Sequence, residues 1–394
     1  MHPNKVTVVI PVYNMEEYIE KCLNSVVTQT LKEVEILCID DCSTDNSEKI
    51  IKNFKDHRIR YIKLDKNSGS AIARNTGINK ASGEFVIFMD PDDYYYDNMA
   101  LELLYNSAKK KNLDIVAANI LTLDTKNNKQ EVFRGALHFV ETKLYSFRTD
   151  YLSCFGYQSF LFNTNFLKNN DLYFPNYLRR QDPPFLLKVM LLHDIFLGIN
   201  HFVYVYRLFH KKVNWDRNKK IDFINAYKNN FEIFAKEDLP EHFMREFLDF
   251  KYHVLLENQF PITNDILLNI EETKKSISFN LIRNSINSKI QEHEKCYLNN
   301  LLDKLNDYRN KKIIIYGFAN IGIELYEKIK HTHSIEQIID KNLYGLIVDD
   351  HEISKNIKKV SLDNLIIITV HNQQSKNEII DTFIKNGILK EQIL

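Results

Sequence analysis

A tight group of carboxylates follows one apolar segment of the sequence. Asp90, Asp92 and Asp93 come directly after Phe85–Met89, with Pro91 between the first two aspartates. Carboxylates without a neighbouring lysine suit a hard divalent cation, which can neutralise phosphate oxygens. An Asp cluster after a strand is also common in plain turns and helix caps. The group by itself therefore leaves a metal site and a structural turn open.

Two earlier polar segments occupy the same kind of position. Residues 11–14 follow an apolar run that starts at Val6, and residues 40–45 follow a run that starts at Val34. In open α/β sheets, ligands bind beyond the carboxyl ends of the strands. The segments at 11–14, 40–45 and 90–93 are therefore expected to line one crevice.

The elements that must position these segments form an alternating pattern. Between residues 6 and 120, short apolar runs alternate with amphipathic segments, which predicts an α/β fold with a mostly parallel sheet. The predicted strands are Val6–Val12, Val34–Asp40, Ile59–Leu64, Phe85–Met89 and Asp114–Asn119, and the predicted helices are Met15–Gln29, Ser47–Phe54, Ser70–Lys80 and Pro184–Leu192.

Four motifs in a fixed order give the sequence a family resemblance. They are Val8–Asn14, Ile39–Asp45, Ala73–Asn75 and Asp90–Asp93. This set resembles the family 2 glycosyltransferases, strongly over residues 4 to 120 and more weakly to about residue 215. The resemblance implies a GT-A fold and an inverting, single-displacement transfer from a nucleotide-diphosphate sugar. It also implies Mn²⁺ or Mg²⁺ as the cofactor that bridges enzyme and donor diphosphate.

The resemblance assigns roles to single residues. It matches Asp41 to a carboxylate that bonds the uracil, Asp90 to one near the ribose and Asp92 to a metal ligand. The predicted nucleotide-sugar-binding residues are Pro11, Val12, Tyr13, Asn14, Glu16, Asp41, Asn67, Arg74, Asp90, Pro91, Asp92, Arg207 and His210, and the predicted metal ligands are Asp92 and His210. For the residues after the first strand, simple loop packing is the alternative.

Arg74 and Cys42 qualify this assignment. The Arg74 guanidinium has the chemistry to contact the donor diphosphate or ribose, and a surface salt bridge is the alternative. The family usually has glycine where this chain has Cys42, so the turn must accept a side chain there.

The resemblance places the general base in an acidic pair that precedes an aromatic residue. Here the segment reads Gln181, Asp182, Pro183, Pro184 and Phe185. Gln181 replaces the commoner glutamate, which leaves Asp182 as the carboxylate able to take a proton. The two prolines favour helix entry just after it. Asp182 is the predicted catalytic base, and a role as helix cap is the alternative.

Basic residues flank this segment on both sides. Downstream, Arg207 and His210 resemble the family segment in which basic groups meet the diphosphate. Upstream, Arg179 and Arg180 could orient an acceptor phosphate or the donor diphosphate, or could merely solvate a loop. The sequence does not decide among these.

The composition indicates which kinds of binding partner and which cellular location to expect. Lys+Arg equals Asp+Glu at 52 each, so no global field favours nucleic acid. The first residues lack a secretory signal pattern and the five cysteines form no CxxC pair, so a cytoplasmic location is expected. Lys-rich stretches such as Lys211–Lys220 leave peripheral contact with the inner face of the cell membrane open.

The pattern divides the chain into three parts. Residues 1–215 are the predicted GT-A domain, with a donor part at 1–120 and an acceptor part at 121–215. Residues 216–310 form a helical linker region, and 311–394 a small Rossmann-like α/β domain. Gly317–Gly322 lacks the middle glycine of a dinucleotide turn, although Asp340 follows at a suitable distance. A structural or pairing module, with homo-oligomer formation left open, is expected.

The predicted function is an inverting, metal-dependent transfer of a hexose or N-acetylhexosamine. The donor is a UDP-sugar, and the acceptor is a hydroxyl of a bacterial surface glycan or lipid-linked glycan. A non-catalytic sugar-nucleotide scaffold and a nucleotidyltransferase are the alternatives, although the second normally needs a Gly-rich basic loop near the N-terminus. A nicotinamide oxidoreductase acting through the C-terminal part is disfavoured by its glycine pattern.

Overall fold

The structure, a computed structural model, contains two compact units, Met1–Asn230 and Phe231–Leu394. It describes residues 4–133, 138–150, 156–210, 215–239, 292–318, 320–340, 347–349, 351–358, 360–370 and 373–394, with a few single residues between 242 and 273. Most of the predicted linker region at 216–310 and part of the Lys211–Lys220 stretch lie outside these residues. The three-part division of the chain therefore stays a prediction.

The described part of the first unit is built on a mixed sheet. Its strands are β1 (Asn4–Val12), β2 (Val34–Asp40), β3 (Ile59–Lys63), β4 (Gly83–Phe88), β5 (Tyr94–Tyr95), β6 (Ile115–Asp124), β7 (Lys129–Val132), β8 (Lys143–Ser146), β9 (Phe160–Asn163) and β10 (Ile195–Leu208). The order is β3-β2-β1-β4-β9-β6-β10-β5, while β7 pairs with β6 and β8 with β10. β1 runs parallel to β2 and β4, so the predicted α/β fold with a mostly parallel sheet is confirmed.

Seven α-helices are described between residues 19 and 236. They are α1 (Ile19–Val27), α2 (Ser47–Asn53), α3 (Ser70–Lys80), α4 (Ala100–Lys111), α5 (Thr164–Asn169), α6 (Asp182–Leu192) and α7 (Arg217–Lys236). All residues of β2 are buried, as expected of a parallel strand covered on both faces. On one face, Val8 and Ile10 of β1 belong to a core that also contains Leu23 of α1 and Leu104 of α4.

On the other face, α3 lies close against β1. A Cβ atom at Gly77 would overlap the side chain of Val9. The missing side chain at position 77 therefore allows the close approach that fixes α3, and with it Arg74, beside the strand ends.

The sequence pattern missed β10, which is central to the site. β10 pairs in parallel with β6, and its register shifts between Ile199 and Phe202 and again before Tyr204. Such bulges break the two-residue alternation from which a strand is predicted. The sequence prediction also ended the strand Asp114–Asn119 too early, because the corresponding strand β6 continues to Asp124.

The second unit contains a small parallel sheet, which confirms the predicted small Rossmann-like domain. Its strands are β11 (Lys312–Tyr316), β12 (Ser334–Ile339), β13 (Ile347–Val348), β14 (His351–Glu352) and β15 (Asn364–Ile368), and its described helices are α8 (Glu292–Leu305), α9 (Asn320–Ile329) and α10 (Gln373–Lys385). The parallel order is β12-β11-β15. Asp340 accepts a 2.7 Å hydrogen bond from the Phe318 amide, so this carboxylate holds the protein's own turn. Across the described residues, no helix has the length and apolar character needed to cross a membrane.

Candidate active site

A cavity of about 310 Å³ opens beyond the carboxyl ends of β1, β2 and β4. The predicted site residues that line it are Pro11, Val12, Tyr13, Asp41, Arg74, Asp90, Pro91, Asp92, Asp182, Arg207 and His210. Parallel strands bring their carboxyl ends to one edge, which explains why segments distant in sequence meet here.

Asp41 lies at the end of β2 and is 3% exposed. Its two carboxylate oxygens accept hydrogen bonds from the amides of Ser68 and Gly69, at 2.6 and 2.7 Å. Each oxygen keeps a second lone pair, so Asp41 can hold the turn before α3 and still accept from a ligand. Its contact with a uracil stays a prediction.

Cys42 follows in the left-handed backbone region, with φ of 63°. Its thiol donates to the Leu64 carbonyl at 2.9 Å. For a residue other than glycine this conformation costs about 1–2 kcal/mol. The turn therefore does accept a side chain where the family usually has glycine.

Asn14, Glu16 and Asn67 do not line this cavity. Asn14 accepts from the Thr44 amide at 2.8 Å, and Glu16 accepts from the amide and side chain of Asn46 at 2.9 and 2.7 Å. These bonds join the loop after β1 to the loop after β2, and Asn67 is exposed. The contacts of Asn14 and Glu16 favour the loop-packing alternative, and direct nucleotide contact by all three residues stays a prediction.

Arg74 and Asp90 form a buried ion pair in the cavity wall. Nη2 of Arg74 lies 2.7 Å from Oδ1 of Asp90, and the two side chains are 7% and 16% exposed. The guanidinium lies 5.4 Å from the ring centroids of both Tyr157 and Phe174. The Nε and Nη1 atoms of Arg74 are buried and make no hydrogen bond. The pair is thus not the surface salt bridge left open by the sequence.

Asp92 and His210 form a close contact in the wall of the cavity. Nε2 of His210 lies 2.9 Å from Oδ2 of Asp92, and Nδ1 of His210 is buried without a hydrogen-bond partner. The Tyr18 ring packs edge-on against the imidazole at 5.2 Å. β10 therefore brings a nitrogen donor to the carboxylate predicted to bind metal.

These two donors fit a metal that a substrate helps to coordinate. Among the described residues, no group of three His, Cys, Asp or Glu side chains could hold an ion alone. Mg²⁺ and its relatives usually take one or two protein carboxylates and complete their shell with phosphate oxygens and water. Asp92 with His210 provides such a partial set, including an imidazole nitrogen whose hydrogen-bonding capacity is not used.

Asp93 fastens this acidic loop to β10. It is 1% exposed and accepts from the Tyr204 hydroxyl at 2.9 Å and from the Arg207 amide at 2.8 Å. Burial, together with the charges of Asp92 and Asp90, raises the pKa of Asp93 well above its ordinary value. Asp93 positions Arg207, whose guanidinium lies 5.1 Å from the Tyr94 ring and lines the cavity.

Asp182 is the first residue of α6 and is half-buried. The N-cap of this helix is Gln181, and no side-chain capping bond is formed there, which disfavours the capping alternative for Asp182. Burial raises the pKa of Asp182; the Arg74 charge lowers it and that of Asp90 raises it, with a net increase. A carboxylate with a raised pKa is a better proton acceptor than an exposed aspartate.

Contacts that the sequence pattern did not predict hold the segment around Asp182 in place. Gln181 is 6% exposed, and its Nε2 donates to the Ser70 hydroxyl at 2.6 Å. Tyr157 and Gln158 also line the cavity and lie 3.4 and 3.3 Å from Asp90 oxygens. Tyr157 and Gln158 were missed because they belong to no motif, and Gln181 was noted only as a replacement for glutamate, since its contact with Ser70 arises through folding.

Comparisons with known proteins agree with this architecture. A family model described as "Glycosyl transferase family 2" matches residues 7–217. Glycosyltransferase GlyA of Streptococcus pneumoniae is 46% identical over 118 residues, which are 29% of this chain and 17% of that protein. Staphylococcus aureus TarP, a poly(ribitol-phosphate) beta-N-acetylglucosaminyltransferase, is 41% identical over 117 residues, or 28% of this chain and 35% of that protein. The matches thus span well under half the length of these two relatives.

A solved structure shows the same fold. The crystal structure of S. aureus TarS 1-349 in complex with UDP-GlcNAc aligns with a TM-score of 0.59 and 23% identity, covering 70% of this chain and 82% of that one. The family match covers more than half of the 394 residues and includes every residue that lines the cavity, from Pro11 to His210. The chain belongs to glycosyl transferase family 2.

Proposed function

We propose that this chain is an inverting, metal-dependent glycosyltransferase. It would move a hexose or N-acetylhexosamine from a UDP-sugar to a hydroxyl of a bacterial surface glycan, such as a capsule or lipooligosaccharide. The observation that carries the proposal is the cavity itself. It joins the half-buried carboxylate of Asp182 to the Arg74–Asp90 pair and to Asp92 with His210.

Asp182 is the base in this proposal. It accepts the proton of the acceptor hydroxyl while that oxygen forms a bond to the anomeric carbon, and the bond from this carbon to the UDP oxygen breaks. A direct displacement of this kind inverts the anomeric centre. The raised pKa of Asp182, caused chiefly by burial, supports the assignment.

Other residues of the cavity wall would receive the diphosphate. Arg207 and His210 supply a guanidinium and an imidazole there, and guanidinium groups pair well with phosphate oxygens. Asp92 and His210 would hold Mn²⁺ or Mg²⁺, which when bound supplies Lewis-acid charge to the leaving group. Asp41, which lines the cavity, would accept from the uracil imide.

The named relatives support the choice of substrates. TarS was crystallised with UDP and with UDP-GlcNAc, and TarP is named for N-acetylglucosamine transfer to poly(ribitol-phosphate). A lipid-linked acceptor would bring this chain to the inner face of the cell membrane, and the C-terminal unit is a candidate for homo-oligomer contacts.

Calorimetric titration of UDP, with and without Mn²⁺, tests the proposal. We expect wild-type protein to bind UDP more tightly with the metal and the Asp92→Ala variant to lose this dependence. Asp65→Ala is a matched control, because Asp65 is an exposed aspartate outside the cavity. Failure of wild-type protein to bind UDP would reject the assigned donor.

A second measurement separates an enzyme from a sugar-nucleotide scaffold. UDP-sugars are screened for release of UDP by wild-type protein and by Asp182→Asn. An enzyme loses turnover in the variant while UDP affinity is kept. Equal behaviour of the two proteins would favour the scaffold.

A further inference from the structure

Two adjacent arginines in the cavity wall have different surroundings. Arg180 is 9% exposed, and its backbone is in the left-handed region with φ of 58°. Its guanidinium lies 3.6 Å from the ring centroid of Tyr227 on α7. This close stacking holds the segment before Asp182 against α7.

Arg179 has no such anchor. Its guanidinium lies 5.7 Å from the ring centroid of Trp215. The Nε atoms of both arginines are buried and make no hydrogen bond, and no carboxylate of the described residues forms an ion pair with Arg179. A buried donor without a partner costs free energy, which a bound anion would offset. Arg179 lines the cavity, so such an anion can reach it.

The position of Arg179 indicates which substrate carries this anion. Arg179 stands three residues before Asp182 in one continuous wall segment, whereas Arg207 and His210 belong to the β10 side of the cavity. Because the base must contact the acceptor, a cationic group three residues before the base can meet an anion that the acceptor carries.

We propose that Arg179 and Trp215 form an acceptor subsite for an anionic group, a phosphate or carboxylate close to the reacting hydroxyl. This inference rests on the proposed function, because it takes Asp182 as the base. It defines the acceptor chemically as a charged glycan or polyol unit. The guanidinium binds the anion, and the indole supports the guanidinium face.

The test is a titration of small anions into protein that is already saturated with UDP and Mg²⁺. The probes are glycerol 3-phosphate and glycerate, with glycerol as the uncharged control. We expect one or both anions to bind and glycerol not to bind. In Arg179→Gln the dissociation constant of the anion should rise on the order of tenfold, while that of UDP stays unchanged. Arg179→Lys keeps the charge and should recover part of the affinity.

The outcomes separate this inference from the proposed function. Preference for glycerol 3-phosphate identifies a phosphate acceptor, and preference for glycerate a carboxylate acceptor. Weaker UDP binding in Arg179→Gln would assign Arg179 to the donor diphosphate and overturn the subsite. Anion binding that is absent, or equal in wild type and Arg179→Gln, would overturn it as well. The anion titration is repeated without UDP, so that it stays decisive even if the nucleotide does not bind.

Discussion

The Nη2 atom of Arg74 lies 2.7 Å from Oδ1 of Asp90, in a pair that is almost withdrawn from solvent. This bond joins α3 to the loop after β4, on which Asp92 also stands. Removing one partner of a buried pair leaves the other charge uncompensated, which costs about 3–5 kcal/mol. We therefore expect Arg74→Ala to lower the free energy of unfolding by this amount in urea titrations.

The control for Arg74 is an exposed pair on α2. Lys52 and Glu48 are 57% and 32% exposed, so solvent screens their attraction. Lys52→Ala should change the free energy of unfolding by less than about 0.5 kcal/mol. Equal effects of the two substitutions would contradict the structural role given to Arg74.

Asp182→Asn should separate activity from stability. We expect transfer to fall by about 10²–10⁴-fold, because amide nitrogen and oxygen cannot take the hydroxyl proton. In wild type, activity should decline as pH falls through the raised pKa of Asp182, so the acid limb lies above the ordinary value of about 3.9. The rate of UDP release across a pH series measures both effects.

The raised pKa of Asp182 also determines whether its contribution to stability rises or falls with pH. The folded state binds this proton more readily than the unfolded state, so the contribution of Asp182 to stability falls as pH rises through the raised pKa. Asp182→Asn removes the buried charge and should raise the Tm at pH 8, with a smaller gain towards pH 4. A lower Tm at pH 8 would contradict the burial effect.

Gln181 is expected to act as a positioning residue through Ser70. Loss of their 2.6 Å hydrogen bond in Gln181→Ala should lower kcat by roughly tenfold to a hundredfold through misplacement of Asp182, with UDP affinity within about twofold. Ser70→Ala should behave alike, and the double variant should show no added loss, as a double-mutant cycle would reveal. Additive losses would mean that the two side chains act separately.

The Gln181→Glu variant gives a second test of the positioning role of Gln181. The Ser70 hydroxyl can donate to this carboxylate, so Gln181→Glu should recover much of the kcat lost in Gln181→Ala. The added negative charge beside Asp182 should also move the acid limb of the pH profile upwards. An unchanged limb would argue against proximity of the two side chains.

Gly77→Ala should destabilise the protein despite its position inside a helix. The substitution favours helix formation by about 1 kcal/mol, but the new methyl group overlaps Val9 on β1. Overpacking of this kind typically costs about 1–3 kcal/mol and should dominate. In urea titrations, Gly77→Ala should be less harmful in a Val9→Ala background. Equal losses in both backgrounds would contradict the close packing of α3.

Local pattern was enough to predict the donor half of the fold. Strands such as β2 are buried on both faces and read as continuous apolar runs, while α1 carries helical periodicity and buries Ile19, Cys22, Leu23 and Val26. Polar residues after those runs must meet at one sheet edge. The sequence alone therefore predicted that Asp41, Asp90 and Asp92 line one crevice.

Tertiary structure decided the relationships that no period encodes. The bulged strand β10 brings His210 to Asp92 across 118 positions, and Gln181 meets Ser70 across 111. Tertiary structure also distinguishes Arg179 from Arg180, which the sequence could not do. Arg179 lies near Trp215, whereas Arg180 stacks on Tyr227. The sequence determined which residue types were available at each strand end. Packing between distant segments determined which of them are buried, paired or left facing the cavity.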